Sequence, residues 1–289
     1  MSHKMLDVMK KAHHIQITPE DVAGNCGLGR YVFLPGDPSR AEKIAGHFSD
    51  HKTVGNPRGH AVHIGTLSSE SDPAVDVMTV ATGIGSASVE VVVSELIDCG
   101  ARRLMRVGSC GSLVPEITPG QVVIATGAVR DEETSRHYAP IEYPALPHPE
   151  GLRALAEGTR LAGLREETFF GICHSKASLY GREFGRGPAA KANTEYTDWL
   201  RRSGVIASEM ETSALYVLAS THEPKAVPLS SHGDPVCRAA AVFGVFGTDD
   251  CNMVVDPELV ALAEGRVIEI ALAAVGAWAK IDGVGGARS

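Results

Sequence analysis

A chain of 289 residues, 44% of them hydrophobic and carrying a net charge of -8, has material for one large α/β domain or two small ones. The acidic balance, without any basic block, argues against nucleic acid or a membrane surface as partner, and no apolar run is long enough to span a bilayer. The six cysteines are scattered singly, which indicates neither a zinc site nor a disulfide framework.

In chain order, residues 1–29 are polar, with a short strand in His13-His14-Ile15-Gln16-Ile17-Thr18. The opening MSHKMLDVMKKAHH has no apolar core, so a secretory signal is not expected and a cytoplasmic setting is. Tyr31–Leu34 reads as a strand, followed by Pro35-Gly36-Asp37-Pro38-Ser39-Arg40. Asp37 suits a helix N-cap and Pro38 the first turn, giving a helix over Ser39–Phe48. The Gly36 N–H and Arg40 then form a candidate anion clamp. Lys52–Val54 and His60–Leu67 read as a hairpin with Arg58 at its tip, where a solvated charge is the simplest role.

Met78–Ala81 is a strand entering the turn Thr82-Gly83-Ile84-Gly85-Ser86. Ser86 or Ser88 can cap a helix whose apolar residues recur from Val89 to Ile97, and Cys99-Gly100 stops it. Arg103–Val107 returns as a strand into a second glycine turn, Gly108-Ser109-Cys110-Gly111. Sites in open α/β sheets collect beyond the carboxyl ends of such strands. Arg106 stands inside the apolar strand, a costly place for a charge unless an anion pairs with it. That anion is either a ligand or a structural carboxylate.

Gln121–Val129 reads as a strand ending in Arg130-Asp131-Glu132-Glu133, His137–Pro149 as a long loop, Pro149–Leu161 as a helix and Thr168–His174 as a strand. The basic, glycine-rich segment 175–188 has the composition of a mobile cover. Asn193–Arg202 is a helix, and Val205–Ala207 a strand leading through Ser208-Glu209-Met210-Glu211 into a helix ending near Ala219. Carboxylates there either favour the helix N-terminus or accept bonds from sugar hydroxyls. Lys225–Ser231 is a further strand, Ala239–Asp250 has no assignment, and Pro257–Ala279 is a long apolar-periodic helix. Without repeats or a break in composition the chain reads as one domain over 1–289, with flexible tails at 1–12 and 282–289.

Four segments in order, LPGDPSRAEKIA, ATGIGSASVEVVVSEL, MRVGSCGSL and SEMETSAL, resemble the hexameric-type nucleoside phosphorylases, a family that includes uridine and purine nucleoside phosphorylases. The resemblance runs over residues 13–235. It implies a single α/β domain whose twisted mixed central sheet is partly closed into a barrel and flanked by helices. It implies phosphate binding by Gly36, Arg40, Arg58, Arg106 and Ser109, with Arg58 lent by a neighbouring subunit. It implies ribose binding by Glu209, Met210, Glu211 and a neighbour's His14, with Arg106, Glu211 and His14 carrying catalysis. It further implies at least a dimer with shared sites, inorganic phosphate as co-substrate, ribose 1-phosphate as product, and no metal or organic cofactor. Within the family, Ser175-Lys176-Ala177-Ser178-Leu179-Tyr180-Gly181-Arg182 follows the spacing of a uridine-specific branch. So do the run Ala207–Glu211 and the loop His137–Pro144. Lys176 or Arg182 would donate to the uracil carbonyls, with Leu179, Cys110 and Gly111 beside the base. Purine members carry a Ser-Asp pair that Ser230-Ser231-His232-Gly233-Asp234 lacks, which makes a purine substrate the alternative. A same-fold hydrolase and a non-catalytic nucleoside binder are disfavoured, because neither needs Arg40, Arg58 and Arg106. The family's intersubunit cation site uses a Glu directly after the loop arginine, where this chain has Gly59.

Overall fold

The computed structural model describes residues 11–68, 74–222, 237–248 and 256–284. Among these residues nine strands form one mixed sheet. They are β1 Tyr31–Pro35, β2 Ser49–Val54, β3 Val62–Leu67, β4 Val75–Val80, β5 Arg103–Ser112, β6 Val122–Asp131, β7 Thr168–Lys176, β8 Val205–Glu209 and β9 Arg238–Thr248. The order is β2-β3-β4-β1-β5-β8-β7-β6-β9, and β9 pairs back onto β5. Five strands thus close on themselves as a barrel, and the other four extend one side of it as an open sheet. Helices α1 Pro19–Val22, α2 Pro38–Ala45, α3 Ser86–Asp98, α4 Pro149–Leu161, α5 Ala190–Arg202, α6 Thr212–Thr221 and α7 Pro257–Ile281 surround this sheet. The sheet therefore has the partly closed, helix-flanked form expected from the sequence. No helix among the described residues is long and apolar enough to cross a membrane.

Two core clusters result. One joins α3 and α6 to strand residues such as Val32, Leu34, Leu104, Val123 and Ala207. The other packs Ile44 of α2, Leu155 of α4 and Val267, Ile270, Ala274 and Trp278 of α7 against Tyr31, Phe33, Met105 and Val242. Leu104 and Met105, adjacent in β5, enter different clusters. The strand is buried on both faces, which accounts for its near-continuous apolar run.

Several expectations are corrected. The segment Gly108-Ser109-Cys110-Gly111 is not a turn. It continues β5, because β9 runs parallel beside it from Arg103↔Arg238 to Ser112↔Thr248 with one irregularity after Cys110. Strand β9 had no assignment. Its Ala239, Ala240 and Ala241 are all buried, as are Val242 and Phe243, so small residues fill a position crowded on both faces. The cap of α3 is Gly85, at φ 88°, rather than Ser86 or Ser88. A positive φ is cheap only for glycine. Residues 13–18 form no strand. Instead the backbone N–H groups of His14 and Ile15 donate to the Glu95 carboxylate at 2.9 and 3.0 Å. Ala12, assigned to one tail, is buried. Asp282, assigned to the other, accepts from Tyr31 Oη at 2.6 Å and Arg103 Nε at 2.9 Å. Lys225–Ser231 lies outside the described residues.

Candidate active site

Strands β1 and β5 are parallel neighbours, with Leu34 beside Arg106 and Pro35 beside Val107. Their carboxyl ends open on the same side. Just beyond β1 the Asp37 side chain accepts from the Arg40 backbone N–H at 2.8 Å and caps α2, with Pro38 in the first turn as the sequence predicts. That cap fixes where Arg40 leaves the helix. Arg40 Nη1 donates to the Val107 carbonyl at 3.0 Å and Nε to Glu264 at 3.3 Å, and the guanidinium lies 5.4 Å from the Phe246 ring centre. Burial pulls the Arg40 pKa below its ordinary value, Asp37 and Glu264 oppose that, and neighbouring Arg106 adds to it. Arg40 and Arg106 are thus close enough to repel each other, and an anion between them relieves both.

Arg106 is 4% exposed. Its Nη1 donates to Thr82 Oγ1 and its Nη2 to Glu211 Oε2, each at 2.7 Å. A Cβ added at Gly36 would sit 3.4 Å from Nη2, so the backbone there passes close to the guanidinium. The other Glu211 oxygen accepts from the Gly85 N–H at 2.6 Å. The two sequence readings of Arg106 therefore converge. Its carboxylate partner is the same Glu211 that the resemblance assigns to ribose.

Glu209 has partners different from those of Glu211. Its oxygens accept from the backbone N–H of Glu211 at 2.8 Å, from that of Thr212 at 3.0 and 3.1 Å, and from Ser175 Oγ. The carboxyl group thus ties β7 to the start of α6, although the residue borders the cleft. Burial pushes its pKa up, and the nearby Glu211 charge pushes it further. Glu209→Ala leaves these buried donors without an acceptor and is expected to cost on the order of 3 kcal/mol of stability. A urea titration reads this as a lower midpoint at unchanged slope. An unchanged midpoint rules out the bracing role.

Gly36, Arg40, Arg106, Ser109, Cys110, Gly111, Lys176, Leu179, Glu209, Met210 and Glu211 all line one cleft of about 430 Å³. Burial raises the Cys110 pKa, so the thiol is no ready nucleophile. Three predicted residues lie outside the lining. Arg58 is exposed in the β2–β3 loop. His14 Nδ1 pairs with Glu95 of α3 at 2.6 Å. Arg182, expected at the base, turns away and binds Asp131 through Nε and Nη2 at 2.7 and 3.0 Å. In its place the next residue, Glu183, lines the cleft and pairs with Lys176. Thr82, Gly85 and Phe246 were also missed. Gly85 was visible as part of a turn, whereas nothing local marks Phe246. A second cleft of about 710 Å³ between α4 and α7, bordered by exposed Arg153, Arg160 and Lys280, holds none of the predicted site residues. Among the described residues no group of three or more His, Cys, Asp or Glu is placed to hold a metal ion.

Comparison with known proteins fits this arrangement. The chain is 40% identical over 210 residues to a uridine phosphorylase of Treponema pallidum, covering 72% of this chain and 76% of that protein. It is 34% identical over 260 residues to a uridine phosphorylase of Thermococcus kodakarensis, covering 87% of each. It is also 30% identical over 215 residues to a guanosine phosphorylase of Halorubrum lacusprofundi, covering 73% and 78%. Residues 30–250 match the model of the phosphorylase superfamily, and they contain Gly36, Arg40, Arg106 and Glu211. The chain belongs to the phosphorylase superfamily.

Proposed function

We propose that this protein is a uridine phosphorylase, a pentosyltransferase that reversibly cleaves uridine with inorganic phosphate to uracil and ribose 1-phosphate. The observation that carries the reading is that Arg40, Arg106 and Glu211 border one cleft. Such a site can hold a phosphate dianion and a ribose side by side. A phosphate oxygen attacks the anomeric carbon as the glycosidic bond breaks, and the bonding pair leaves on the base through an oxocarbenium-like sugar. The arginines supply position more than covalent chemistry. Glu211 accepts from the 2′- and 3′-hydroxyls, and Lys176 faces the negative charge that grows on the uracil.

The choice of uracil rests on the loop spacing at Ser175–Arg182 and on the uridine-cleaving names of the two relatives at 40% and 34% identity. A purine substrate is the second reading, favoured by the guanosine-cleaving relative. Ser231 and Asp234, which bear on it, lie outside the described residues. Since Arg58 and His14 do not reach their own chain's cleft, the reading includes a second copy that lends them. It also places the enzyme in the cytoplasm.

Purified protein incubated with uridine is expected to release uracil and ribose 1-phosphate only when phosphate is present. Cleavage of inosine with inert uridine overturns the base assignment. Equal turnover without phosphate makes the protein a hydrolase.

A further inference from the structure

Beyond the phosphate and sugar ligands, the cleft contains a charge pair of which the reaction as described uses only the lysine. Lys176, the last residue of β7, is 2% exposed. Its ammonium donates to Ser208 Oγ at 2.9 Å and pairs with Glu183 Oε2. Ser208 Oγ in turn donates to the same Glu183 oxygen at 3.1 Å. A buried lysine paired with a part-buried glutamate is a poor device for stability, because the cost of desolvating the charges offsets their attraction. Paired ions lining a cleft more often mark a site.

We propose that Glu183 and Lys176 together read the hydrogen-bonding edge of the base, the carboxylate accepting a ring N–H and the ammonium donating to the adjacent carbonyl. The inference rests on the reading of the cleft as a nucleoside site and adds to it the rule by which the base is selected.

Three features carry it. First, no hydrogen bond among the described residues reaches Glu183 Oε1. That oxygen lies 2.9 Å from where a Cβ on Gly111 would be, so the room in front of it exists because residue 111 has no side chain. Secondly, Glu183 is aimed. Its neighbour Arg182 is fixed by Asp131, by Asn193 Oδ1 at 2.8 Å and by the Tyr196 ring 4.3 Å from its guanidinium. Asn193 Nδ2 also donates to the Gly181 carbonyl at 2.7 Å. These contacts hold the π-helical turn Leu179–Glu183 with Arg182 outward and Glu183 toward the cleft. Arg182 is thus a positioning residue. Thirdly, the two groups are chemically one-sided. An ionised carboxylate only accepts and an ammonium only donates.

Their complement is a ring N–H next to a C=O. Uracil offers that imide edge, and 6-oxopurines offer the equivalent lactam. Cytosine and adenine present the reverse, a bare ring nitrogen next to an amino group. Against this pair, two lone pairs would face each other and two donors would meet. A buried polar site rejects such a mismatch far more strongly than an apolar pocket rejects a change of size. The selection is therefore oxo against amino, ahead of pyrimidine against purine.

The test is calorimetric binding of free bases to the full chain in phosphate buffer. Uracil is compared with 3-methyluracil and cytosine, and hypoxanthine with 1-methylhypoxanthine. The wild-type protein is expected to bind the better of uracil and hypoxanthine at least about a hundredfold more tightly than its N-methylated counterpart. Glu183→Gln, whose amide can donate as well as accept, is expected to shrink the uracil-to-cytosine preference at least about tenfold while keeping a cooperative melt. Gly111→Ala, which leaves the ion pair but fills the space before Oε1, is expected to weaken binding of the preferred base.

Equal affinity for the base and its N-methyl form overturns the proposal. So does a wild-type preference that survives in both variants, or a failure to bind any of the bases. The readout needs no turnover. A protein that discriminates in this way but does not phosphorolyse uridine overturns the proposed function and leaves the edge contact standing. One that phosphorolyses uridine yet binds 3-methyluracil equally well does the opposite.

Discussion

Arg106→Ala is expected to lower kcat/KM for phosphate-dependent cleavage by on the order of a thousandfold, in the range seen when one preorganised donor to a reacting anion is removed. The loss has two physical sources. The phosphate loses a buried guanidinium beside Arg40, and Glu211 loses the partner that holds Oε2 at 2.7 Å. Breaking a buried pair from one side leaves an uncompensated charge and costs about 3–5 kcal/mol. The alanine variant is therefore expected to be both inactive and less stable, and the two effects must be separated. Arg106→Gln combined with Glu211→Gln removes both charges together, which is often nearly neutral for stability. The double variant is expected to unfold within about 1 kcal/mol of wild type in denaturant and to stay inactive. If it regains stability without activity, the lost turnover belongs to phosphate and ribose binding. Retention of kcat/KM within about tenfold in Arg106→Ala removes Arg106 from the chemistry.

What was legible in the sequence follows from how local each determinant is. The Asp37 cap and Pro38 lie within one helical turn of Arg40, so the first anion clamp could be placed without the fold. Arg106 stood out because a charge within an apolar strand demands a partner. The identity of that partner, 105 positions away in Glu211, is a property of the closed sheet. Strand β9 was illegible for a related reason. Ala and Gly have little strand propensity, and pairing with β6 at three positions and with β5 at ten makes Arg238–Thr248 extended. The same pairing draws Gly108–Gly111 into β5 against local turn chemistry. Glu209 and Glu211 looked alike, flanking one Met. The strand ends at Glu209 and the helix cap falls on Glu211, so one carboxyl group braces the fold and the other meets Arg106. At the end of the cleft that holds Lys176, adjacent residues take opposite directions. Asp131 and Asn193 decide which of Arg182 and Glu183 points inward, and neither is near them in sequence.

The proposed sharing of sites between two copies puts Arg58 of one chain at the phosphate of the other. Arg58 is exposed on the β2–β3 loop and takes no part in its own chain's cleft. If a neighbour uses it on phosphate, Arg58→Ala is expected to lower kcat/KM on the order of a hundredfold with no loss of stability, since an exposed charge contributes little to folding. Taken alone, that result would also suit a long-range effect within one chain. Mixing distinguishes the two. In a reciprocal dimer of Arg58→Ala with Arg106→Ala, one site receives both defects. The other combines an intact Arg106 with an intact Arg58 from the opposite chain and is wild type. Random reassociation of equal amounts makes half the dimers mixed, so about a quarter of wild-type activity is expected to return. Two inactive proteins that become active only after dissociation and reassociation together leave no single-chain explanation. A mixture that stays as inactive as its components shows that Arg58 and Arg106 do not meet across an interface, and the phosphate is then held by Arg40 and Arg106 of one chain alone.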